Sequence, residues 1–212
     1  MAELTSCAGV VLAGGKSERM GTEKAALRIG AEALLARVVR RLRLALPDVY
    51  VIGPSHLTAL APGAPVFPDE FPGLGPLGGL ATVLARVSSQ YVFLTGCDMP
   101  FVEPSLVSAM ATYASHSPEV DVVALRTARG IEPLHAVYAR TCAPLVQERI
   151  AAADRRSMGA LLDRLRVMEL PASMAAQYDP TGRSTFNANS PEDWREALAI
   201  QAHEADAPTS LM

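Results

Sequence analysis

The stretch Ala8-Gly9-Val10-Val11-Leu12-Ala13-Gly14-Gly15, near the start of the chain, decides the fold. The apolar run from Ala8 to Leu12 predicts a short buried strand, and the Ala-Gly-Gly after it predicts a turn. Ligands of open parallel sheets bind beyond the carboxyl ends of the strands. The residues that directly follow this strand and its neighbours are therefore the first candidates for chemistry.

Strands and helices alternate along the chain outward from this stretch. Apolar runs predict further strands at 49–52, 91–95, 120–125 and 134–139. Helical spacing of apolar residues predicts helices at 32–46, 103–115, 141–153 and 157–165, another helix that ends at 82–87, and a last one from Ser190-Pro191. Alternation of this kind predicts an α/β fold in three layers, with a mostly parallel twisted sheet covered by helices on both faces.

The chain is predicted to form one domain. No repeat and no linker-like stretch divides residues 1–201, and residues 202–212 are predicted to be a flexible C-terminal tail. The segment 61–79 holds five prolines, and four glycines from Gly73 onward. So many helix breakers within a chain of this size predict a long functional loop.

Composition excludes several classes of protein. Of 212 residues, 50% are hydrophobic and 19% are charged, which excludes a disordered chain. The net charge of −3 argues against a nucleic-acid binder, whose affinity depends on clustered cations. Cys7, Cys97 and Cys142 have neither metal-ligand nor disulfide-framework spacing. With no leader-like start and no run long enough to span a bilayer, the sequence predicts a cytoplasmic protein with no membrane partner.

Two known phosphate-binding patterns do not fit the glycine turn. A P-loop needs a glycine five positions before its second glycine, and that position is Val10. The dinucleotide pattern G-x-G-x-x-G also fails, because Gly14 and Gly15 are adjacent.

The turn nevertheless predicts an anion site. Gly14 and Gly15 allow a ligand to approach the backbone closely, and Lys16, Arg19 and Lys24 follow within a short span. Backbone amides and several cations after a strand suit a triphosphate. On composition alone, a solvated turn with surface lysines is the alternative.

Asp98 is the candidate metal ligand. It follows the strand 91–95 at the edge where ligands bind, and Mg²⁺ prefers one or two carboxylates together with phosphate oxygens. The alternative is a turn aspartate that bonds its own backbone before Pro100. Asp69, which follows the Val66-Phe67 pair in the segment 61–79, is a second carboxylate that by itself would be an ordinary loop acid.

Other polar residues give weaker signals. Glu132, Asn187 and Asn189 lie at the ends of later elements, where substrate contact and helix capping are both open. The four histidines are dispersed and show no pairing, and no Ser/His/Asp arrangement is present. Covalent catalysis is not expected.

Five stretches together resemble the molybdenum cofactor guanylyltransferases, within the nucleotidylyltransferase superfamily. The first stretch, the glycine loop and its downstream lysine, marks the superfamily, and the set of five is specific to the family. The five stretches are 12–21 with Lys24-Ala25, 75–80, 97–101, 132–138 and 187–193. The resemblance covers the chain from Val10 to about Ile200 and implies a Rossmann-like nucleotidyltransferase fold.

The resemblance implies a role for each position that matches the family's motifs. The positions implied to bind the guanine nucleotide are Leu12, Ala13, Gly14, Gly15, Lys24, Asp69 and Asp98. Arg19, Lys24 and Asp98 are implied to be catalytic, with Arg19 and Lys24 on the phosphates and Asp98 on Mg²⁺.

The remaining positions concern the second substrate and the base. Gly78, Asn187 and Asn189 are candidates for a further contact with the substrate or with a second metal. Gly53-Pro54 stands where family members often carry an asparagine, so a base or ribose contact there is missing or made by the backbone.

The implied reaction is transfer of GMP from GTP to the terminal phosphate of molybdopterin, with release of pyrophosphate. Such transfer needs positioning and charge neutralisation more than a covalent partner. The implied partners are GTP, molybdopterin, and molybdoenzyme apoproteins or cofactor-delivery proteins. The alternatives are a molybdopterin cytidylyltransferase, a sugar-1-phosphate nucleotidylyltransferase and a non-catalytic cofactor carrier. Gly14-Gly15 favours the guanine branch.

Overall fold

A computed structural model describes residues 6–14, 23–152 and 157–206, with the last two residues described by backbone only. The strands are β1 (Cys7–Leu12), β2 (Arg28–Ile29), β3 (Glu32–Ala33), β4 (Asp48–Ile52), β5 (Val66–Phe67), β6 (Tyr91–Gly96), β7 (Val122–Thr127), β8 (Gly130–Ala139) and β9 (Val167–Pro171). The helices are α1 (Leu34–Arg43), α2 (Pro76–Arg86), α3 (Pro104–His116), α4 (Ala143–Ala151), α5 (Met158–Leu162), α6 (Ala172–Ala175) and α7 (Pro191–Asp206).

The main sheet has seven strands in the order β5-β4-β1-β6-β8-β7-β9. Strands β5, β4, β1 and β6 pair in parallel, and β9 pairs in parallel with β7. Strand β8 runs antiparallel to both of its neighbours, β6 and β7. The carboxyl ends of β1, β4, β6, β7 and β9 therefore lie at one edge of the sheet, beside the amino end of β8.

Each face of the sheet is covered by its own helices. Val11, Val51 and Phe93 face the layer that contains α1 and α3. Val10 and Leu94 face the opposite layer, formed by α2, α4 and α5. Adjacent strand residues are thus fully buried on opposite faces, which is the period-two pattern of a covered parallel sheet. The predicted three-layer α/β fold is confirmed.

The segment 61–79 differs from the expected long loop. It contains the short edge strand β5, and α2 begins inside it, with Pro76 at the first helical turn. The helix then continues through Gly78 and Gly79. A Cβ on Gly79 would lie 2.6 Å from Cδ2 of Leu12, so glycine is needed there for close packing of α2 against β1. Gly78 and Gly79 are therefore helix residues that allow close packing, and their interpretation as loop residues was wrong.

Other element bounds also differ from the sequence expectations. Residues 32–33 form part of a small antiparallel hairpin, β2–β3, and the helix begins only at Leu34. Strand β9 was not predicted, because its sequence between Val167 and Pro171 alternates weakly. Helices α4 and α5 are shorter than the predicted spans 141–153 and 157–165.

The last helix extends beyond residue 202, where the predicted tail begins. Helix α7 continues to Asp206, and Arg37 from α1 anchors it. The Arg37 guanidinium, only 6% exposed, donates to Gln201 Oε1 at 2.5 Å and pairs with Glu204 at 3.5 Å. Residues 202–206 are therefore helical, and residues 207–212 lie outside the described part of the chain. Within the described ranges, no helix has the length and apolar character needed to cross a membrane.

Candidate functional site

A cleft of about 300 Å³ opens at the carboxyl edge of β1, β4 and β6. It brings together most of the residues that the sequence predicts to bind a nucleotide. These residues are Leu12, Ala13, Gly14, Lys24, Asp69 and Asp98. Gly15 and Arg19, predicted for the same site, lie outside the described residues.

Two backbone hydrogen bonds fix the end of β1 in the centre of the cleft. The amide of Ala13 donates to the carbonyl of Ile52 at 2.8 Å, and the carbonyl of Leu12 accepts from the amide of Cys97 at 2.9 Å. The β1 end is thus tied to the segments that follow β4 and β6. Gly14 is exposed, and a Cβ built on it would meet no atom of the described residues within 4 Å, which leaves room there for a ligand to approach the backbone.

Asp98 lies on the β6 side of the cleft in a turn that its neighbours impose. Its carbonyl accepts from the amide of Ala188 at 2.8 Å, and a Cβ on Gly96 would clash with its Oδ1. The side chain is 23% exposed. Burial raises the pKa of the Asp98 carboxyl, and the nearby Lys24 ammonium opposes that shift. A carboxylate in such surroundings gains from a bound cation.

Lys24 and Asn189 meet across 165 positions of sequence. The Lys24 ammonium donates to Asn189 Oδ1 at 2.7 Å, and its Nζ lies 3.8 Å from Asp98 Oδ2. This contact places a cation and a carboxylate side by side at the mouth of β1. The predicted phosphate ligand and the predicted metal ligand therefore share one site.

The start of α7 holds Asn189 in place. The amides of Asn189 and Ser190 donate to Asp193 Oδ2 at 2.9 and 2.8 Å, and the amide of Asp193 donates to the Ser190 hydroxyl at 3.1 Å. This reciprocal cap satisfies the open amides of the helix end. The hydrogen bonds with Ser190 lower the pKa of Asp193, which keeps the carboxylate charged.

None of the three positions predicted to make a further contact is among the cleft-lining residues. Asn187 donates its side-chain amide to the carbonyl of Thr185 at 3.1 Å. Gly78 is buried in α2, where a Cβ would lie 2.5 Å from the carbonyl oxygen of Phe71. Of these three predicted positions, Asn189 alone contacts the site residues, through Lys24.

Asp69 lines the cleft and also holds its own loop. Its Oδ1 accepts from the amide of Phe71 at 2.9 Å and from the hydroxyl of Thr82 at 3.1 Å. These bonds tie the segment after β5 to helix α2. A role for Asp69 toward the nucleotide stays a prediction.

The donor set suits a hard divalent cation that is shared with phosphate. Among the residues that the structure describes, no group of three His, Cys, Asp or Glu side chains could hold a metal by itself. Burial raises the pKa of the neighbouring Cys97 to about 12, so this thiol stays protonated and is a poor ligand. One carboxylate plus phosphate oxygens is the arrangement that Mg²⁺ prefers, and Asp98 fits it.

Sequence reasoning missed one acidic residue of the cleft, Glu23, and left the role of a second acid nearby, Glu132, open between substrate contact and capping. Glu23 lines the cleft, and the half-buried Glu132 lies close enough to Asp98 to interact with it. Burial raises the pKa of Glu132, as does the Asp98 charge, while the hydrogen bond from the Leu134 amide at 3.0 Å opposes the shift. Glu23 does not follow a predicted strand directly, so the strand-end rule did not select it.

A family model and the curated relatives below agree on one family. The model of the MobA-like NTP transferase domain matches residues 9–167. A probable molybdenum cofactor guanylyltransferase of Pelotomaculum thermopropionicum is 37% identical over 144 residues, which cover 68% of this chain and 69% of the relative. The molybdenum cofactor guanylyltransferase of Rhizobium johnstonii is 33% identical over 206 residues, covering 90% and 94% of the two chains.

A solved structure supports the fold. The molybdopterin-guanine dinucleotide biosynthesis protein A of Archaeoglobus fulgidus superposes with a TM-score of 0.80 at 24% identity, covering 92% of this chain and 99% of that one. The predicted resemblance and the predicted enzyme class, a nucleotidyltransferase, are confirmed. The chain belongs to the MobA-like NTP transferase domain family.

Proposed function

We propose that the protein transfers GMP from GTP to the terminal phosphate of molybdopterin and releases pyrophosphate. The observation that carries this proposal is the convergence of the Lys24 ammonium, the Asp98 carboxylate and the open backbone at the end of β1 in one cleft. Relatives that match nearly the whole chain are named molybdenum cofactor guanylyltransferases, which supports GTP and molybdopterin as substrates.

The reaction is an in-line displacement at the α-phosphorus of GTP. An oxygen of the molybdopterin phosphate forms a bond to this phosphorus, and the bond to the bridging oxygen of pyrophosphate breaks. Catalysis then rests on holding the two phosphates in line and on neutralising charge. No covalent intermediate with the protein is required.

Each residue of the site has a defined part in this step. Lys24 neutralises charge on the triphosphate, and Asn189 orients its ammonium through the 2.7 Å hydrogen bond. The backbone around Gly14 lies close to the nucleotide. Asp98 would hold Mg²⁺ together with the phosphate oxygens, and the metal would supply further charge neutralisation when bound.

The alternative functions differ from this one either in the nucleotide that is bound or in whether a reaction takes place at all. A molybdopterin cytidylyltransferase or a sugar-1-phosphate nucleotidylyltransferase would bind another base, and a carrier would release no pyrophosphate. A carrier has no use for a cation ligand beside a phosphate-binding lysine, so the Lys24–Asp98 pair disfavours it. Delivery to molybdoenzyme apoproteins stays a prediction.

Nucleotide preference is tested by thermal unfolding. A ligand at 100 times its Kd adds about 2.7 kcal/mol to the free energy of unfolding, which for a chain of this size corresponds to about 5–10 °C in Tm. We expect a shift of this size with GTP and Mg²⁺, and a clearly smaller shift with CTP or UTP at the same concentration. Asp98→Asn, which keeps the shape of the side chain, is the matched control and should lose most of the metal-dependent part. Equal shifts with all three nucleotides would argue against the assignment of guanine.

A further inference from the structure

Among the residues that the structure describes, three carboxylates line the cleft, and one of them has no role in the proposed reaction. Asp98 faces Lys24, and Asp69 accepts hydrogen bonds within its own loop. Glu23 does neither, although it lines the same cavity.

A histidine holds Glu23 on the opposite side of the cleft from Asp98. His56 Nε2 lies 2.7 Å from Glu23 Oε1. His56 belongs to the short 3-10 helix Ser55–Leu60, which follows β4, whereas Lys24 points to Asp98 after β6. Because β4 and β6 flank β1 on opposite sides, the contacts with His56 and Asp98 direct the adjacent side chains of Glu23 and Lys24 to opposite sides of β1. If the triphosphate lies at Lys24, the base lies toward Glu23.

The wall at the Glu23 end offers little else that could recognise a base by its side chains. Several residues that line the cleft next to β4 and α2 carry no side-chain hydrogen-bond donor or acceptor. These residues are Ile52, Pro54, Gly75, Pro76 and Gly79. Apart from Asp69, Glu23 is thus the acceptor available there among the described lining residues.

The chemistry of a carboxylate matches one base. Guanine presents two adjacent donors, N1–H and the 2-amino group, whereas adenine and cytosine present an acceptor beside their amino group. Uracil presents one N–H between two carbonyls. A carboxylate only accepts, has about four lone-pair sites, and can therefore keep the His56 bond while it accepts from both guanine donors.

We propose that Glu23, positioned by His56, recognises the Watson–Crick edge of guanine and gives the enzyme its preference for GTP. This inference rests on the proposed function, because it names the specificity-determining residue of the same site. His56 acts through Glu23 and is a positioning residue.

The test is the ratio of Kd values for ITP and GTP, measured by calorimetry with Mg²⁺ and without molybdopterin. ITP lacks only the 2-amino group. We expect the protein to bind GTP about 10- to 100-fold more tightly than ITP, the usual value of a hydrogen bond to a charged group. In Glu23→Gln the ratio should fall to about threefold or less, mainly because GTP binds less tightly. His56→Ala should lower the ratio part of the way.

A matched control removes a charge elsewhere. Glu119 is exposed before β7, at the opposite edge of the sheet, so Glu119→Gln should leave both Kd values unchanged. A merely structural role of Glu23 would weaken GTP and ITP equally. An unchanged ratio in Glu23→Gln, or no discrimination by the unmodified protein, would overturn the inference.

Failure of this inference can be told apart from failure of the proposed function. Suppose that the protein forms the guanine dinucleotide from GTP, but Glu23→Gln leaves the ratio of the Kd values for ITP and GTP unchanged. This result would contradict only the role of Glu23. Discrimination that depends on Glu23, without any transfer to molybdopterin, would support the base contact and contradict the proposed reaction.

Discussion

Asp98→Ala is expected to abolish transfer, with kcat/KM for GTP lower by at least about 10³-fold, because the change removes the proposed ligand of the metal that neutralises the triphosphate. The fold should survive. The backbone carbonyl that accepts from Ala188 remains, and burial already disfavours the charged carboxyl in the free protein. The measurement is the initial rate of pyrophosphate release, with Tm determined in parallel.

Asp98→Asn separates charge from shape. It retains a side chain of the same size, so a comparable loss of rate would assign the effect to the missing charge. Activity within about tenfold of the unmodified enzyme, in either variant, would remove Asp98 from the metal site.

Lys24→Ala should lower kcat/KM by about 10²–10³-fold, the usual cost of removing one electrostatic group that stabilises a transition state. In the proposed reaction its ammonium neutralises the charge that develops on the displaced pyrophosphate, and it donates a 2.7 Å hydrogen bond to Asn189. Steady-state kinetics with GTP and molybdopterin measure this loss. The free protein should unfold at a somewhat lower temperature, because the Lys24 and Asp98 side chains are only 18% and 23% exposed and the change leaves the Asp98 carboxylate without its nearby cation.

Arg164→Ala serves as the control for the loss of a cation. Arg164 pairs with Glu148 and is 46% exposed, away from the cleft-lining residues. Its removal should leave the rate unchanged. If kcat/KM of Lys24→Ala falls by less than about fivefold, Lys24 does not contact the reacting phosphates.

Much of the site could be predicted because local pattern and topology agree. The apolar runs of β1 and β6 identified the two central strands, and the rule for carboxyl ends then selected Gly14 and Asp98. Both residues line the cleft. The mostly parallel sheet also followed from the alternation of elements, although the reversed direction of β8 carries no local signal.

What could not be predicted depends on contacts between distant segments. Lys24 and Asn189 are brought together by the docking of α7, and no spacing in the sequence reveals their 2.7 Å contact. The glycines at the start of α2 suggested a loop, since their requirement for close packing on β1 appears only in three dimensions. His56 belonged to a set of histidines without apparent pairing, whereas the structure pairs it with Glu23.

The most direct test of GMP transfer is the mass of the product. The purified protein is incubated with molybdopterin, Mg²⁺ and each of GTP, CTP and UTP in separate reactions. We expect GTP to give a guanine dinucleotide form of the pterin, heavier by one GMP unit, together with one equivalent of pyrophosphate. A cytidine or uridine product formed in preference, or no dinucleotide from any of the three, would contradict the assignment.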